Sequence, residues 1–523
     1  MNEQNQNNQP PQKGQPILPQ PPFISPQPMW RRSVGRYNYT YFSSHFATSG
    51  LVVGMAALTI TLVAFSNNLM PAVYYLIYIL ELAFFYGGTQ HYSHTWSRTS
   101  AKSFIKHIFW IGLLLRIPFT LYHHIDNVNA FGLLYYDNLA DIDVYVGDPK
   151  DVVDGLLQRG DWNLFRYANY IAFDDLGAPI LNTFLLLLTG NVNPCGVVLI
   201  FNVIIGAITP IFMYRIACRH FGEDVGRMTA ILCMLNPNMI WWCCSLMKET
   251  QMVFFTCWFM ERMDAVLMRG KLSVATVVPA ALIGSYVFLY RAALGILIFL
   301  SFFAAVIFMS QRIVSYGKKI SAGVLVAFVL LIGLGNQMSE YSRSLREQAA
   351  GDNQQVNMEW RSKRENGNLF AKYAGKAVFA PLIFTIPFPT LTYTHADQEA
   401  LMEVAGGNII KNVMSFLVIL CMFMFLMTGE WRQHVFLIAY LIGYLIILAF
   451  STYAQSGRFH MPAIPFEMMF AAYFIKIIQQ NRKMTLGIGG KSTYTRWYNY
   501  WCIACVAMTV FWQWFKLKGQ GII

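Results

Sequence analysis

The chain has 523 residues, 55% of them hydrophobic and only 13% charged, with a formal net charge of +12. A soluble protein carries about a quarter charged residues, so composition argues against a soluble globular chain. The basic balance does not point to nucleic acid: Lys and Arg fall in short segments between apolar runs, the pattern of membrane topology, and no nucleic-acid motif accompanies them.

Residues 1–44 open the chain with a stretch rich in Gln, Asn and Pro. It has too little apolar surface to offset its chain entropy, which predicts a disordered cytoplasmic tail. It lacks the cationic start, apolar stretch and cleavage site of a signal peptide, so the first apolar run is expected to serve as an uncleaved anchor. Runs of membrane-crossing length then recur through 45–517, at about 45–66, 70–87, 104–121, 196–217, 228–246, 250–267, 273–290, 292–311, 320–336, 408–428, 434–452, 462–479 and 498–515. The expected fold is all-α, a polytopic transmembrane helical bundle of about 11–13 spans forming one domain. The apolar run 180–188 is too short to cross and reads as an amphipathic or re-entrant helix. Nine Cys residues lie in or beside the runs, with a lone C-x-x-C at Cys502 and Cys505 and an adjacent pair at Cys243 and Cys244. Without a second pair at zinc-finger spacing they read as small buried hydrophobes.

Loop charges orient the spans. Arg31, Arg32 and Arg36, then Arg98, Lys102 and Lys106, then Arg215, Arg219 and Arg227 fall on one side. Arg269 and Lys271, Arg312, Lys318 and Lys319, Arg432, and Arg482, Lys483 and Lys491 fall there too. The positive-inside rule makes that side cytoplasmic, with a cytoplasmic N-terminus and a multi-pass cell-membrane location. Two long loops, about 123–179 and 337–407, then lie outside.

The first long loop holds Asp126, Asp137, Asp141, Asp143, Asp148, Asp151, Asp154, Asp161, Asp174 and Asp175, interleaved with Tyr135, Tyr136, Tyr145, Trp162, Tyr167 and Tyr170. Aromatic faces pack on sugar C–H groups and carboxylates bind or deprotonate hydroxyls, so the composition suits a carbohydrate site. A solvated acidic loop has the same composition. Lys248 and Glu249, Arg291, and the GRFHMP stretch with Arg458 and His460 mark span ends on the same face. Each reads singly as a snorkelling anchor. Together with the acidic loop they suit an anionic lipid phosphate beside a hydroxyl acceptor, and Arg matches phosphate with a planar fork of donors. The second loop is mixed in charge and ends in Pro381, Pro387, Phe388 and Pro389.

The segments APILNTFLLLLTGNVNP, FMYRIACRHFGEDVGR, LNPNMIWWCCSLMKE and GRFHMPAIPF follow the Asp-bearing loop in that order. Over about 105–480 the chain thereby resembles the GT-C superfamily of integral-membrane glycosyltransferases, nearest the branch of protein O-mannosyltransferases and aminoarabinose transferases. The resemblance implies a GT-C-like fold in a bacterial inner membrane. It also implies a polyprenyl-phosphate sugar donor, and a glycan, lipid or protein acceptor. An acidic residue in the first outer loop acts as general base in that family, and the acceptor hydroxyl attacks the anomeric carbon with inversion. Asp137, Asp141 and Asp143 compete for that role, with Asp174–Asp175 as a second pair; two extra spans precede the loop here. Arg458 and His460 match late basic residues near the donor phosphate, and Lys248 is a weaker match. Some members use a divalent metal such as Mg or Mn, which paired Asp can hold, although the spacing here does not demand one. A base needs a pKa not far below ambient pH, which crowded carboxylates favour, and the leaving phosphate needs fixed cations.

Three other functions compete. A polysaccharide polymerase or ligase would show an Arg-dominated outer loop, whereas this loop is dominated by Asp. A transporter or flippase would show repeats or mid-membrane charge, and the mid-span charges are few (Glu81, Arg116 and Glu261). A membrane scaffold would need none of these features.

Overall fold

The computed structural model describes residues 40–132, 139–269, 274–308, 380–393, 402–451, 454–485 and 493–523. The expected tail up to residue 39, the span at 320–336, most of the second long loop, and Asp137 lie outside them.

The protein is an all-α membrane protein. Among the described residues, five helical segments are long and apolar enough to cross a bilayer: Ser44–Ala64, Ala72–Arg98, Ala101–Asn129, Pro194–Phe221 and Ala405–Thr428. In chain order the helices are α1 Ser44–Ala64, α2 Ala72–Leu82, α3 Gly88–Thr95, α4 Ala101–Phe131, α5 Leu139–Ile142, α6 Asp148–Arg159, α7 Gly177–Thr189, α8 Pro194–Phe221 and α9 Glu223–Leu235. They continue as α10 Pro237–Cys244, α11 Glu249–Arg269, α12 Val274–Phe288, α13 Ala292–Phe308, α14 Ala405–Thr428, α15 Val435–Ala449, α16 Gly457–His460, α17 Ile464–Thr485 and α18 Thr493–Gly519. The most extensive packing joins α8 to α9 and α11, and α14 to α17, and α17 also packs on α9. To one side, α12, α13 and α15 pack in turn, and to the other α1 pairs with α18. One continuous apolar core runs through this bundle. Large apolar side chains such as Val63, Trp110, Leu114, Ile200 and Ile503 stay exposed on its outside, as a lipid-facing surface requires.

Three departures from the sequence reading have identifiable physical causes. The run 228–246 is two helices, because the Asn236 side chain accepts from the Met239 amide as a cap and Pro237 takes the first helical position. Helix α4 continues past residue 121 through His123 and Asp126 to a left-handed Gly132. Its polar end is held by distant partners: His123 Nδ1 lies 3.1 Å from Glu403, which also accepts from Trp241 at 2.7 Å, and the Tyr74 hydroxyl donates to Asp126 at 3.2 Å.

The third departure is the stretch expected as the first long loop, which is largely helical where described. Helix α6 starts with Asp148 and Asp151, ends with Arg159 and stops at Gly160 with φ 68°, so its charges oppose the helix dipole at both ends. It packs on α7 over a small separate core of Val152, Tyr167 and Leu176. The end of the second loop, 380–393, is a buried strap. Lys411 donates to the Ile386 carbonyl at 2.5 Å and Asn412 to that of Pro387 at 2.9 Å. Gln513 donates to Pro389 and accepts from the Leu391 amide. These side chains satisfy backbone groups that no helix or sheet pairs.

Candidate functional site

Five segments far apart in sequence meet at one end of the bundle. Arg458, in α16, is the hub: Nη1 donates to Asp141 Oδ2 at 2.5 Å and Nε donates to Glu249 Oε1. Glu249 is fully buried, whereas the Asp141 side chain is 27% exposed. Burial opposes the Arg458 charge, but Glu249 and then Asp141 outweigh it and raise the guanidinium pKa above its ordinary value.

Lys248 stands beside this pair. Its ammonium donates to the Asp175 carboxylate and to the carbonyls of Tyr290, at 3.0 Å, and Asp174, at 3.4 Å. Burial and then Arg291 push Lys248 down to about 7, against the pull of Glu249. The Tyr145 hydroxyl donates to Asp175 at 3.5 Å, and burial, then Glu249, pushes that phenol up. Arg291 differs from the other two cations. Its guanidinium lies 4.0 Å over the Phe459 ring, its buried Nε has no hydrogen-bond partner, and no carboxylate pairs with it among the described residues.

Local structure explains which acids arrive. After α5 the chain makes a π-helical turn over Asp143–Gly147 before α6, a feature often found at functional sites. Asp141 and Tyr145, four residues apart, both reach the cluster, while Asp143, two residues from each, is exposed. Asp175 ends a 3₁₀ turn, Phe173–Asp175, that leads into α7. The next turn is anchored at Gly177: its amide donates to Leu289 O at 2.7 Å and its carbonyl accepts from the Tyr286 hydroxyl at 2.6 Å. A Cβ there would stand 2.6 Å from the Tyr290 ring, so the close approach requires glycine.

Of the ten residues singled out in the sequence, Asp141, Asp175, Lys248, Glu249, Arg291 and Arg458 come together. Asp174 contributes its backbone carbonyl. Asp143 faces solvent, and Asp137 lies outside the described residues. His460 follows Arg458 by two residues but faces elsewhere. It is buried, its Nε2 contacts the Ala454 carbonyl at 2.7 Å and its Nδ1 lies 3.2 Å from Lys411 Nζ. Burial and then Lys411 hold that imidazole well below its ordinary pKa, so it is neutral. Other acids of the first loop have local partners: Asp148 accepts from Tyr170, Asp154 from Lys150 and Asn191, and Asp161 from the Asn163 amide.

Beneath the cluster lies a polar floor that the sequence reading missed. Gln251 donates to Asn182 and Asn202, accepts from the Tyr290 hydroxyl, and Asn182 donates to the Tyr145 carbonyl. The available signal was each lone amide inside an apolar run, since unpaired polar groups there are expensive. Arg116 is fully buried in α4, held by the Gly112 carbonyl and Cys243 Sγ rather than by a cluster carboxylate.

The described acids of the cluster face cations. Asp141 and Glu249 both face Arg458, and Asp175 faces Lys248. Among the described residues no group of three or more His, Cys, Asp or Glu is arranged to hold a metal ion. No family model matches the chain, and no curated protein matches it either.

Proposed function

We propose that this protein is an integral-membrane glycosyltransferase of GT-C type. In this reading about 11–13 spans cross a bacterial inner membrane, the N-terminus is cytoplasmic, and the Arg458 end faces outward. The observation that carries the reading is the convergence of Asp141, Asp175 and Glu249 with Arg458, Lys248 and one uncompensated cation, Arg291. Sugar transfer from a polyprenyl phosphate needs a carboxylate to take the acceptor proton and a fixed positive charge for the leaving phosphate. Asp141 serves as base: it is partly exposed, and Arg458 holds its oxygen in place. The acceptor oxygen attacks the anomeric carbon, its proton passes to Asp141, and the bond from that carbon to the phosphate oxygen breaks with inversion. Arg291 receives the phosphate, because Arg458 and Lys248 already face carboxylates. The acceptor is a glycan, lipid or protein hydroxyl.

Glycan transfer in membranes bearing single variants tests this. Asp141→Asn is expected to lose at least about 100-fold in rate, the typical contribution of a general base. Asp143→Asn, two residues away in solvent, keeps most activity. Full activity of Asp141→Asn would sink the assignment and favour a polysaccharide polymerase or ligase built on the same cations.

A further inference from the structure

We propose that the α6–α7 layer is itself seated in the membrane, with the aromatic segment 162–165 and the outer face of α7 immersed in the lipid leaflet at the Arg458 end. The proposal concerns where this layer sits and does not depend on the proposed reaction. Helix α7 buries Asn182, Thr183 and Leu186 against the bundle, while Phe184 and Leu188 point away. Phe165 meets Phe184 at 6.2 Å between ring centroids, although both are exposed. Trp162 is 79% exposed and Leu188 85%. Soluble surfaces rarely gather large apolar side chains in this way.

The occupant follows from continuity. The exposed apolar row runs from Leu188 through Val192 onto Ile200 and Ile204 of α8, a helix long and apolar enough to cross the bilayer. Lipid covering Ile200 and Ile204 therefore lies beside the patch, with only the short turn 189–193 between them. Tyr170, at its rim, suits the headgroup level. The outer side of α6 instead shows Lys150, Asp151 and Gln158 to water. Between residues 148 and 166 there are three cations, Lys150, Arg159 and Arg166, and four carboxylates, Asp148, Asp151, Asp154 and Asp161. Seating is thus apolar rather than electrostatic, and independent of anionic lipid. Because Asp175 lies two residues before α7, the Lys248–Asp175 pair then sits at headgroup depth.

Nitroxide labels on Trp162→Cys, Phe184→Cys and Leu188→Cys, in full-length protein in nanodiscs, test the seating by power-saturation electron paramagnetic resonance. Asp151→Cys is the water-facing control. The native thiols are buried except the half-buried Cys195, and unsubstituted protein sets their background. At 162, 184 and 188 collisions with oxygen are expected to exceed those with a water-soluble nickel chelate, with the reverse at 151. The result should be the same in neutral and in anionic lipid. Dominant nickel collisions at these sites would overturn the proposal. So would spin–spin broadening at 188 that grows with protein per disc, which would mean a second copy covers the patch. Three labelled positions keep the test open if one variant fails to fold.

Discussion

The two ends of helix α11 carry ionic clusters of different kinds. At its start, Glu249 and its neighbours leave Arg291 without an acid and Asp141 partly open to water. Fifteen residues on, roughly 22 Å along the helix, Asp264 and Glu261 close around Arg219. Its Nε donates to Asp264 at 2.5 Å, Nη1 to the Glu261 carboxylate and Nη2 to the Glu261 carbonyl, both at 2.9 Å. His220 contacts the second Asp264 oxygen at 2.6 Å, and its other ring nitrogen meets His434 at 2.8 Å. Each nitrogen of the Arg219 guanidinium is engaged. Such a cluster ties helices α8 and α11 to His434 at the start of α15 and pairs Arg219 with two carboxylates. Charge density alone therefore does not mark a site.

Removing the hub at each end breaks or sharpens that contrast. Arg219→Ala strands two carboxylates that are almost wholly buried, which typically costs about 3–5 kcal/mol. Its thermal unfolding in detergent should show the largest loss of stability. Arg458→Met strands the buried Glu249, but Asp141 can hydrate, so the stability loss should be smaller, about 2–3 kcal/mol. Glycan transfer should nevertheless be lost. Equal unfolding losses with activity retained in Arg458→Met would erase the distinction.

The smallest effect concerns pH. Lys248 is charged below about 7 and neutral above it, because burial and Arg291 depress it. Below that pH it adds to the positive field at Arg291; above it the contribution is gone. Affinity for an anionic lipid should therefore fall, by up to about 10-fold, as pH rises from 6 to 8.5, since one such step is worth about 1.4 kcal/mol. Lys248→Met should flatten the profile. A profile unchanged by that substitution would remove Lys248 from the site.

Much of the helical frame was legible from the apolar runs, because length and hydropathy alone suffice for a span. The break at Asn236–Pro237 was not read, although a cap followed by a residue without an amide hydrogen marks it, because a continuous apolar run hid it. The end of α4 was not. His123 and Asp126 resemble loop residues until Glu403, Trp241 and Tyr74 are brought beside them by tertiary packing. The cluster followed the same division. Asp141, Asp175, Lys248, Glu249, Arg291 and Arg458 stood out as charges at span ends. Which of them already had partners depended on pairings across hundreds of residues, as between Asp141 and Arg458. His460 shows the limit most clearly, since one short helix sends Arg458 and His460 into separate networks.

The most direct test of the central claim is the binding of polyprenyl phosphate to purified wild type and Arg291→Ala, read by native mass spectrometry alongside thermal unfolding. The predicted result is binding by wild type and at least about 10-fold weaker binding by the variant, the loss of a charge-assisted contact. Unfolding should stay within about 1 kcal/mol, because no carboxylate is stranded. Equal binding by the two proteins, or none by wild type, would contradict the assignment of this end as the donor site.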